Sequence, residues 1–590
     1  MLLEIRDLNV HFATPDGDVH AVKNVSLDIA ESECLGVVGE SGSGKSQLFL
    51  AALGLLSGNG RATGSVRYRG AEILGASQQS LNTLRGAKIT MIFQDPLTSL
   101  TPHMTIGAQI GEALTRHARM PRDEVQARIR EMLDYVRIPE AARRMKQYPH
   151  ELSGGMRQRV MIAMATITGP DLVIADEPTT ALDVTVQAQI LEILRALKTE
   201  KKTALALVSH DMGVIAGNAD RVQVMRHGEV VEQGPVDEIF HTPRNDYTRM
   251  LLAAMPRLTD EAPPLPRARD EKLLEVHDLK VSFPIAQGLF AKPRELRAVD
   301  GISFTLNKGE TLGVVGESGC GKSTLARAVL QLLPSNSGTV VWLGQNLAEK
   351  TQKEIRGLRE DFQIVFQDPL ASLDPRMPIG VSIAEPLTAL KPAFNRADVR
   401  KRVAAMMQHV GLDAAWINRY PHELSGGQNQ RVGIARAMIV EPSMVVCDEA
   451  VSALDVSIQA QIVDLIRNLQ AETGLALMFI SHDLAVVRQI AHRVMVLYLG
   501  RVVEMANAEA LYSDPRHPYT RALLSAVPVP DPRIERSRTR TLLTGDQPSP
   551  LDRRAHLTFL KSKQIDDPEA EQYRPRLIEV APGHLVAEYD

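Results

Sequence analysis

The sequence predicts an α/β fold made twice within one chain: a mostly parallel sheet covered by helices, duplicated, with ligands at the carboxyl ends of the strands. Three observations carry that expectation. A glycine-rich loop, GESGSGKSQ at 39–47, returns as GESGCGKST at 316–324. Each copy follows an apolar run, CLGVVG at 34–39 or TLGVVG at 311–316, and precedes a helical pattern, SQLFLAALGLL or STLARAVLQLL. Far beyond the loops the repeat keeps its register, with 272 residues separating Ser153 from Ser425, Asp176 from Asp448 and His210 from His482. A period this long is a duplicated domain, because solenoid repeats run about 20 to 50 residues.

The loops come first. In G-x-x-x-x-G-K-[ST] the glycines carry no side chain, so successive backbone N–H groups can turn inward on anionic oxygens, and the helix that follows adds its N-terminal donors and dipole. The cradle is Gly39, Glu40, Ser41, Gly42, Ser43, Gly44, Lys45, Ser46 and Gln47 in the first copy. In the second it is Gly316, Glu317, Ser318, Gly319, Cys320, Gly321, Lys322, Ser323 and Thr324. Two cradles imply two nucleotides. Lys45 and Lys322 are placed to neutralise β- and γ-phosphates.

Between Gln94 and Ser153 the pattern turns helical, as in GAQIGEALTRH and DEVQARIREMLDYV, and reads as an inserted helical subdomain. Buried-strand runs then end in acids, LVIADE and MVVCDE, and two more end in TALALVSHD and LALMFISHD. Asp176 and Asp448 would reach a Mg²⁺ shell directly or through water, with the Ser46 and Ser323 hydroxyls as further oxygen ligands. Glu177 and Glu449 are placed to polarise a water against the γ-phosphate, as general base or as water-orienting group. Each repeat closes on a shared stretch, TPRNDYTRMLLAAMP at 242–256 and DPRHPYTRALLSAVP at 514–528. The two lysines are 277 residues apart, so about five extra residues enter before the second loop, in PIAQGLFAKPREL. RLTDEAPPLPRARDEK at 257–272, rich in proline and charge, reads as a linker. The expected domains are 1–256 and 274–530, with a linker at 257–273 and a C-terminal extension at 531–590.

Composition bounds the partners. A chain of 590 residues with 44% hydrophobic content buries large cores, and a net charge of −4, from 67 basic and 71 acidic residues, gives no electrostatic reason for nucleic acid. No apolar run approaches the ~18 residues that span a bilayer, and MLLEIRDLNV lacks a signal-peptide core, so the cytoplasm is expected. Cys34, Cys320 and Cys447 lie far apart without C-x-x-C spacing and read as unpaired thiols.

The ordered set of glycine-rich loop, FQDP, LSGG, DE, ALD and SHD, present twice, resembles the nucleotide-binding domains of ABC transporters. The resemblance extends from Leu3 to about Pro530 and is closest to fused tandem ATPase subunits of bacterial peptide importers, the dipeptide/oligopeptide/nickel group, with the glutathione importers as the nearest branch. It implies two ABC-type P-loop domains, each a RecA-like core with a β subdomain and an inserted helical subdomain. Gln94 and Gln367 are then the Q-loops, touching Mg²⁺ or the attacking water, and His210 and His482 the switch histidines at γ-phosphate. Ser153, Gly154 and Gly155, with Ser425, Gly426, Gly427 and Gln428, are the signature loops, each expected to close the ATP site of the other half. An adenine-stacking aromatic is implied near each N-terminus; Phe12 and Phe283 are best placed and equally compatible with core positions. The resemblance further implies two permease subunits and an extracytoplasmic solute-binding protein as partners. The subunit would then lie at the cytoplasmic face of the inner membrane, held there through the permeases. Peptide or glutathione is the implied cargo, with nickel or another small solute of the group as the alternative.

Both glutamates, lysines and histidines are present, so two hydrolytic sites are expected. The departures are Met156 where the signature usually continues with Gln, EAVSALD in place of EPTTALD, and Gln47 in place of Thr. Many relatives hold an iron–sulfur cluster in the C-terminal tail; the tail here contains no cysteine, which excludes that cluster for lack of thiolates. A ribosome-acting tandem ATPase would carry a long charged linker and a basic surface, and a DNA-repair ATPase long coiled-coil or zinc insertions. Neither pattern is present.

Overall fold

A computed structural model describes the chain apart from residues 16, 181, 259–263, 286–293, 392, 453, 542–547, 550, 553 and 564–572. Part of the linker, most of the expected insertion before the second loop, and the alanines of both ALD motifs fall outside the described residues. The chain divides into two compact units, Met1–Met255 with Pro528–Asp546, and Pro256–Val527 with Gln547–Asp590.

In the first unit the main sheet has the order Glu229–Pro235, Arg221–Arg226, Cys34–Val38, Ala204–Ser209, Leu172–Asp176, Ile89–Ile92. The last five run parallel to one another, and Glu229–Pro235 closes the edge antiparallel. Cys34–Val38, Leu172–Asp176 and Ala204–Ser209 are buried throughout, which is why they read as unbroken apolar runs: helices cover both faces. A separate antiparallel sheet, ordered Gly17–Ile29, Leu3–Thr14, Gly60–Tyr68, Ala71–Glu72, packs its inner residues Ile5, Val10, Val22 and Val66 into the same core as Val37 and Phe49. The predicted helical insertion holds helices Ile106–Thr115 and Arg122–Tyr135, whose buried Ile106, Ile110, Leu114, Val125, Ile129 and Leu133 keep the spacing of an apolar helix stripe.

The second unit repeats this plan with one addition. Its main sheet runs Phe362–Val365, Met444–Asp448, Ala476–Ile480, Thr311–Val315, Arg493–Tyr498, Arg501–Asn507 and then continues with His584–Ala587 and Leu577–Ala581. The added hairpin comes from the C-terminal extension, whose Val586 and Leu585 pair antiparallel with Glu504 and Met505.

The stretch after the second repeat does not stay with the second unit. Residues 528–546 belong to the first, where helix Pro532–Ser537, capped by the Asp531 carboxylate, packs along helix Met212–Asn218. Two glycines make room for it: a Cβ on Gly213 would lie 2.9 Å from Pro528, and one on Gly217 2.8 Å from Glu535. Arg533 grips the Asp237 carboxylate with both ends of its guanidinium, at 2.8 and 2.5 Å, and Arg536 donates to the Ala219 carbonyl. Pro256, at the equivalent point of the first repeat, is assigned to the second unit.

Candidate active site

The phosphate loops leave the carboxyl ends of Cys34–Val38 and Thr311–Val315, each at the centre of its sheet. Gly44 and Gly321 have φ of 94° and 103°, and a Cβ on either would strike the carbonyl oxygen of Ala21 or Ala298. Glycine is therefore demanded by conformation and by close approach together. Helices Lys45–Ala52 and Lys322–Val329 begin immediately afterwards, so their first N–H groups face the loop. The Lys45 ammonium donates to the Gly39 carbonyl at 2.7 Å and the Glu40 carbonyl at 3.0 Å. Lys322 does the same with Gly316 at 2.7 Å and Glu317 at 3.1 Å.

Strand register sets the carboxylates beside the loop. Asp176 ends its strand opposite Val208, so Asp176, Glu177 and His210 emerge together from neighbouring parallel strands. Ser46 Oγ donates to Asp176 Oδ1 at 2.9 Å, and Ser323 Oγ to Asp448 Oδ1 at 2.8 Å. A hydroxyl and a carboxylate in contact form an all-oxygen donor set that suits the hard ion Mg²⁺. Among the described residues no group of three or more His, Cys, Asp and Glu could hold a metal alone. Phosphate and water oxygens would have to complete the shell.

Glu177 and Glu449 occupy the left-handed region, at φ 46° and 49°, which costs about 1 to 3 kcal/mol for a side-chain-bearing residue and persists only where surroundings enforce it. Backbone bonds from Glu177 N–H to Val208 and from Glu449 N–H to Ile480 enforce it here. Each carboxylate is then surrounded. Gln94 Nε2 donates to Glu177 at 2.9 Å, Thr180 Oγ1 donates at 2.9 Å, and His210 Nδ1 lies 3.3 Å away. Gln367 Nε2 donates to Glu449 at 2.9 Å, with His482 Nδ1 at 3.6 Å and Lys322 Nζ at 3.6 Å. The second site differs at one hydroxyl: Ser452 donates to the Glu449 backbone carbonyl, leaving the carboxylate without the counterpart of Thr180.

These surroundings separate neighbouring acids. Burial pushes Asp176 and Asp448 above the usual aspartate value, against the Ser46 and Ser323 hydrogen bonds. Burial would raise Glu177 as well, but His210, Thr180 and Lys45 together hold it below the usual glutamate value. Glu449 behaves alike, with burial outweighed by His482 and Lys322. The Glu177 hydrogen bond raises His210 against burial. For His482, burial is overcome by the hydrogen bond and charge of Glu449. Each site thus holds an ionised glutamate beside a more readily protonated aspartate and a histidine biased toward its cation.

The signature loops cap helices Gly154–Thr166 and Gly426–Met438. Ser153 Oγ accepts the Met156 N–H at 3.2 Å, and Ser425 Oγ accepts that of Gln428 at 3.3 Å. Gln428 also returns a bond, its Oε1 accepting the Ser425 N–H at 2.9 Å; the Met156 thioether has no such return bond. Phe12 and Phe283 are partly buried and packed against the cores of their units. Sequence reasoning missed Thr180, although it lies three residues beyond Glu177 in EPTTALD at 177–183. It also missed Tyr247 and Tyr519, whose hydroxyls accept the N–H of Glu40 and Glu317 at 3.3 and 3.2 Å. Their only sequence signal was the repeated closing stretch.

Glycine-rich loops that open helices beside paired carboxylates at strand ends are the apparatus of P-loop nucleoside triphosphatases, and this chain carries it in duplicate. Comparison narrows the class. The ABC transporter family model matches residues 22–180 and 299–452. The oligopeptide/dipeptide transporter C-terminal region matches 231–280 and 503–555. The chain belongs to the ABC transporter family, as one of its ATP-hydrolysing subunits. It is 46% identical to the glutathione import ATP-binding protein GsiA of Salmonella choleraesuis, over 99% of this chain and 96% of that protein. To GsiA of Pectobacterium atrosepticum it is 47% identical over 93% of each, and to GsiA of Escherichia coli K12 45% identical over 100% of this chain and 97% of that one. A solved dimeric ATP-binding cassette bound to ADP and Pi aligns with 40% of this chain and 98% of its own, at 28% identity and a TM-score of 0.37. Among the described residues no helix is long and apolar enough to cross a membrane.

Proposed function

We propose that this chain couples ATP binding and hydrolysis at two sites to the uptake of small peptides of the glutathione class through two partner permease subunits at the cytoplasmic face of the inner membrane. A separate extracytoplasmic protein would deliver the solute. The observation that supports this reading is that both copies hold the whole set: lysine, loop hydroxyl, aspartate, ionised glutamate, glutamine and histidine. A degenerate second copy would have lost at least one.

In each site the loop amides and the lysine ammonium bind the β- and γ-phosphates. Ser46 with Asp176, and Ser323 with Asp448, would hold Mg²⁺, which when bound neutralises charge on the phosphate oxygens. Glu177 and Glu449 accept a hydrogen bond from the attacking water, and Gln94 and Gln367 orient that carboxylate. His210 and His482, biased toward the cation, stabilise charge on the departing γ-phosphate. Closure of each site by Ser153 or Ser425 of the opposite half makes ATP a link between halves, and its hydrolysis removes the link.

The test is reconstitution of the chain with its permease subunits and binding protein in proteoliposomes, with ATP inside and labelled solute outside. ATP-dependent accumulation of glutathione supports the reading. Accumulation of nickel alone reassigns the cargo, and ATP turnover with no permease association overturns the transport role.

A further inference from the structure

The closing stretch shared by the two repeats reaches the phosphate loops, and we infer that Tyr247 and Tyr519 are positioning residues for the two ATP sites, the second held in place by the C-terminal extension. The inference rests on the reading of both loops as ATP sites.

The loop residues involved are ones whose carbonyls the loop lysines use. Glu40 donates its N–H to Tyr247 Oη at 3.3 Å while its carbonyl accepts the Lys45 ammonium at 3.0 Å. Glu317 donates its N–H to Tyr519 Oη at 3.2 Å while its carbonyl accepts Lys322 at 3.1 Å. Tyr519 Oη also donates to the Glu317 carboxylate at 3.2 Å. Tyrosine and lysine therefore grip a single residue from its two sides, and the tyrosine sets where the lysine's carbonyl partner lies. Both rings are buried, at 4% and 0% exposure, so neither hydroxyl can exchange its partner for bulk water without moving the loop.

Each tyrosine is itself fastened. Its N–H is capped by the preceding polar side chain, Asn245 Oδ1 at 2.8 Å or His517 Nδ1 at 3.2 Å. The turn before it is bound by a strand glutamate: Glu232 accepts from Arg244 and Asn245, and Glu504 from Arg516 and His517. Here the halves diverge. In the first, the Arg226 guanidinium lies 4.7 Å over the Tyr247 ring. In the second, residues of the C-terminal extension take over. Phe559 packs edge-on against Tyr498 at 5.3 Å and against His517 at 5.1 Å, and lies 5.9 Å from Tyr519. His584 Nε2 meets Glu504 at 2.7 Å.

The full-length chain carrying Glu177→Gln and Glu449→Gln is expected to bind ATP with turnover largely suppressed, so titration with MgATP would read two equilibria directly. In that background Tyr519→Phe, which keeps the ring, is expected to weaken one site by about two- to tenfold and Tyr247→Phe the other, with melting temperatures lower by no more than the few degrees that one lost buried hydrogen bond costs. Phe559→Leu should weaken only the site that Tyr519→Phe weakens; Phe559→Tyr, the conservative change, should restore it. Unchanged affinities in both tyrosine variants, or weakening seen only with a fall in melting temperature beyond that of one lost hydrogen bond, overturns the positioning role. Equal weakening of both sites by Phe559→Leu overturns the link to the extension. Absence of any MgATP binding in the background chain defeats the assignment of ATP sites itself.

Discussion

Replacing Glu177 or Glu449 by Gln, one at a time, in the chain assembled with the proposed permeases tests whether both sites hydrolyse. Glutamine fills the same space, and its amide oxygen can still accept from Gln94 and Thr180, so folding and nucleotide binding should survive. What is lost is the negative charge that, in the proposed mechanism, polarises water. The carboxylates are held ionised by the neighbouring histidine and lysine, so the full effect of a general base is removed, roughly 10²- to 10⁴-fold at the altered site. Phosphate release under saturating MgATP should therefore fall to about half if the sites fire independently, and nearly to nothing if each must fire for the pair to reopen. A second signature follows from the same geometry. Without the Glu177 partner, burial is left to act on His210, whose titration should move down from its raised position. If either single replacement leaves turnover untouched, the two-site account is wrong.

Three further outcomes are expected. The Glu177–His210 pair contributes to stability above the ordinary glutamate pKa, because the glutamate value is lowered, and below the ordinary imidazole pKa, because the histidine value is raised; the contribution is lost as pH falls through the first folded value or climbs through the second. Stability measured by denaturant against pH should therefore decline on the alkaline side, and His210→Gln should flatten that limb. Met156→Gln supplies the return bond that Gln428 already makes, and should stabilise the first unit by about 0.3 to 1 kcal/mol in thermal melts, whereas Gln428→Met should cost the second unit a similar amount. Gly44→Ala forces a side chain into the left-handed region against the Ala21 carbonyl, and should cost about 1 to 3 kcal/mol and abolish ATP binding at the first site; unchanged affinity by calorimetry would show the loop to be more yielding than its contacts indicate.

The duplicated α/β architecture was legible because its determinants are local. Glycines at positive φ, a lysine and hydroxyl at a helix start, and acids ending buried runs each write their constraint into a few adjacent positions. The meeting of Glu177 with Gln94, separated by 83 residues in sequence, depends on strand order instead. Glu177 is readable from the acid that follows its strand, Gln94 only from the family resemblance, and their contact from neither. Tyr247 and Tyr519 escaped because nothing in TPRNDYTRMLLAAMP tells a buried tyrosine that fills space from one whose hydroxyl meets a loop more than 200 residues away. The destination of 528–546 was invisible for a related reason. Hydrophobic spacing shows that a helix has an inner face, not which of two similar partners receives it.

That destination bears on how the molecule could be taken apart. An engineered protease site inserted after Met255 would sever the connection between the repeats, yet the downstream fragment would still carry the helix Pro532–Ser537 that lies along Met212–Asn218. The nicked pieces should co-elute at neutral pH and separate only when Arg533, Arg536 and the Pro528 seat are disrupted together. Neither repeat corresponds to a clean stretch of gene. A truncation ending at Met255 would expose the Gly213 and Gly217 notches to water, and a half-molecule made to study one engine alone would need the distant helix grafted back on.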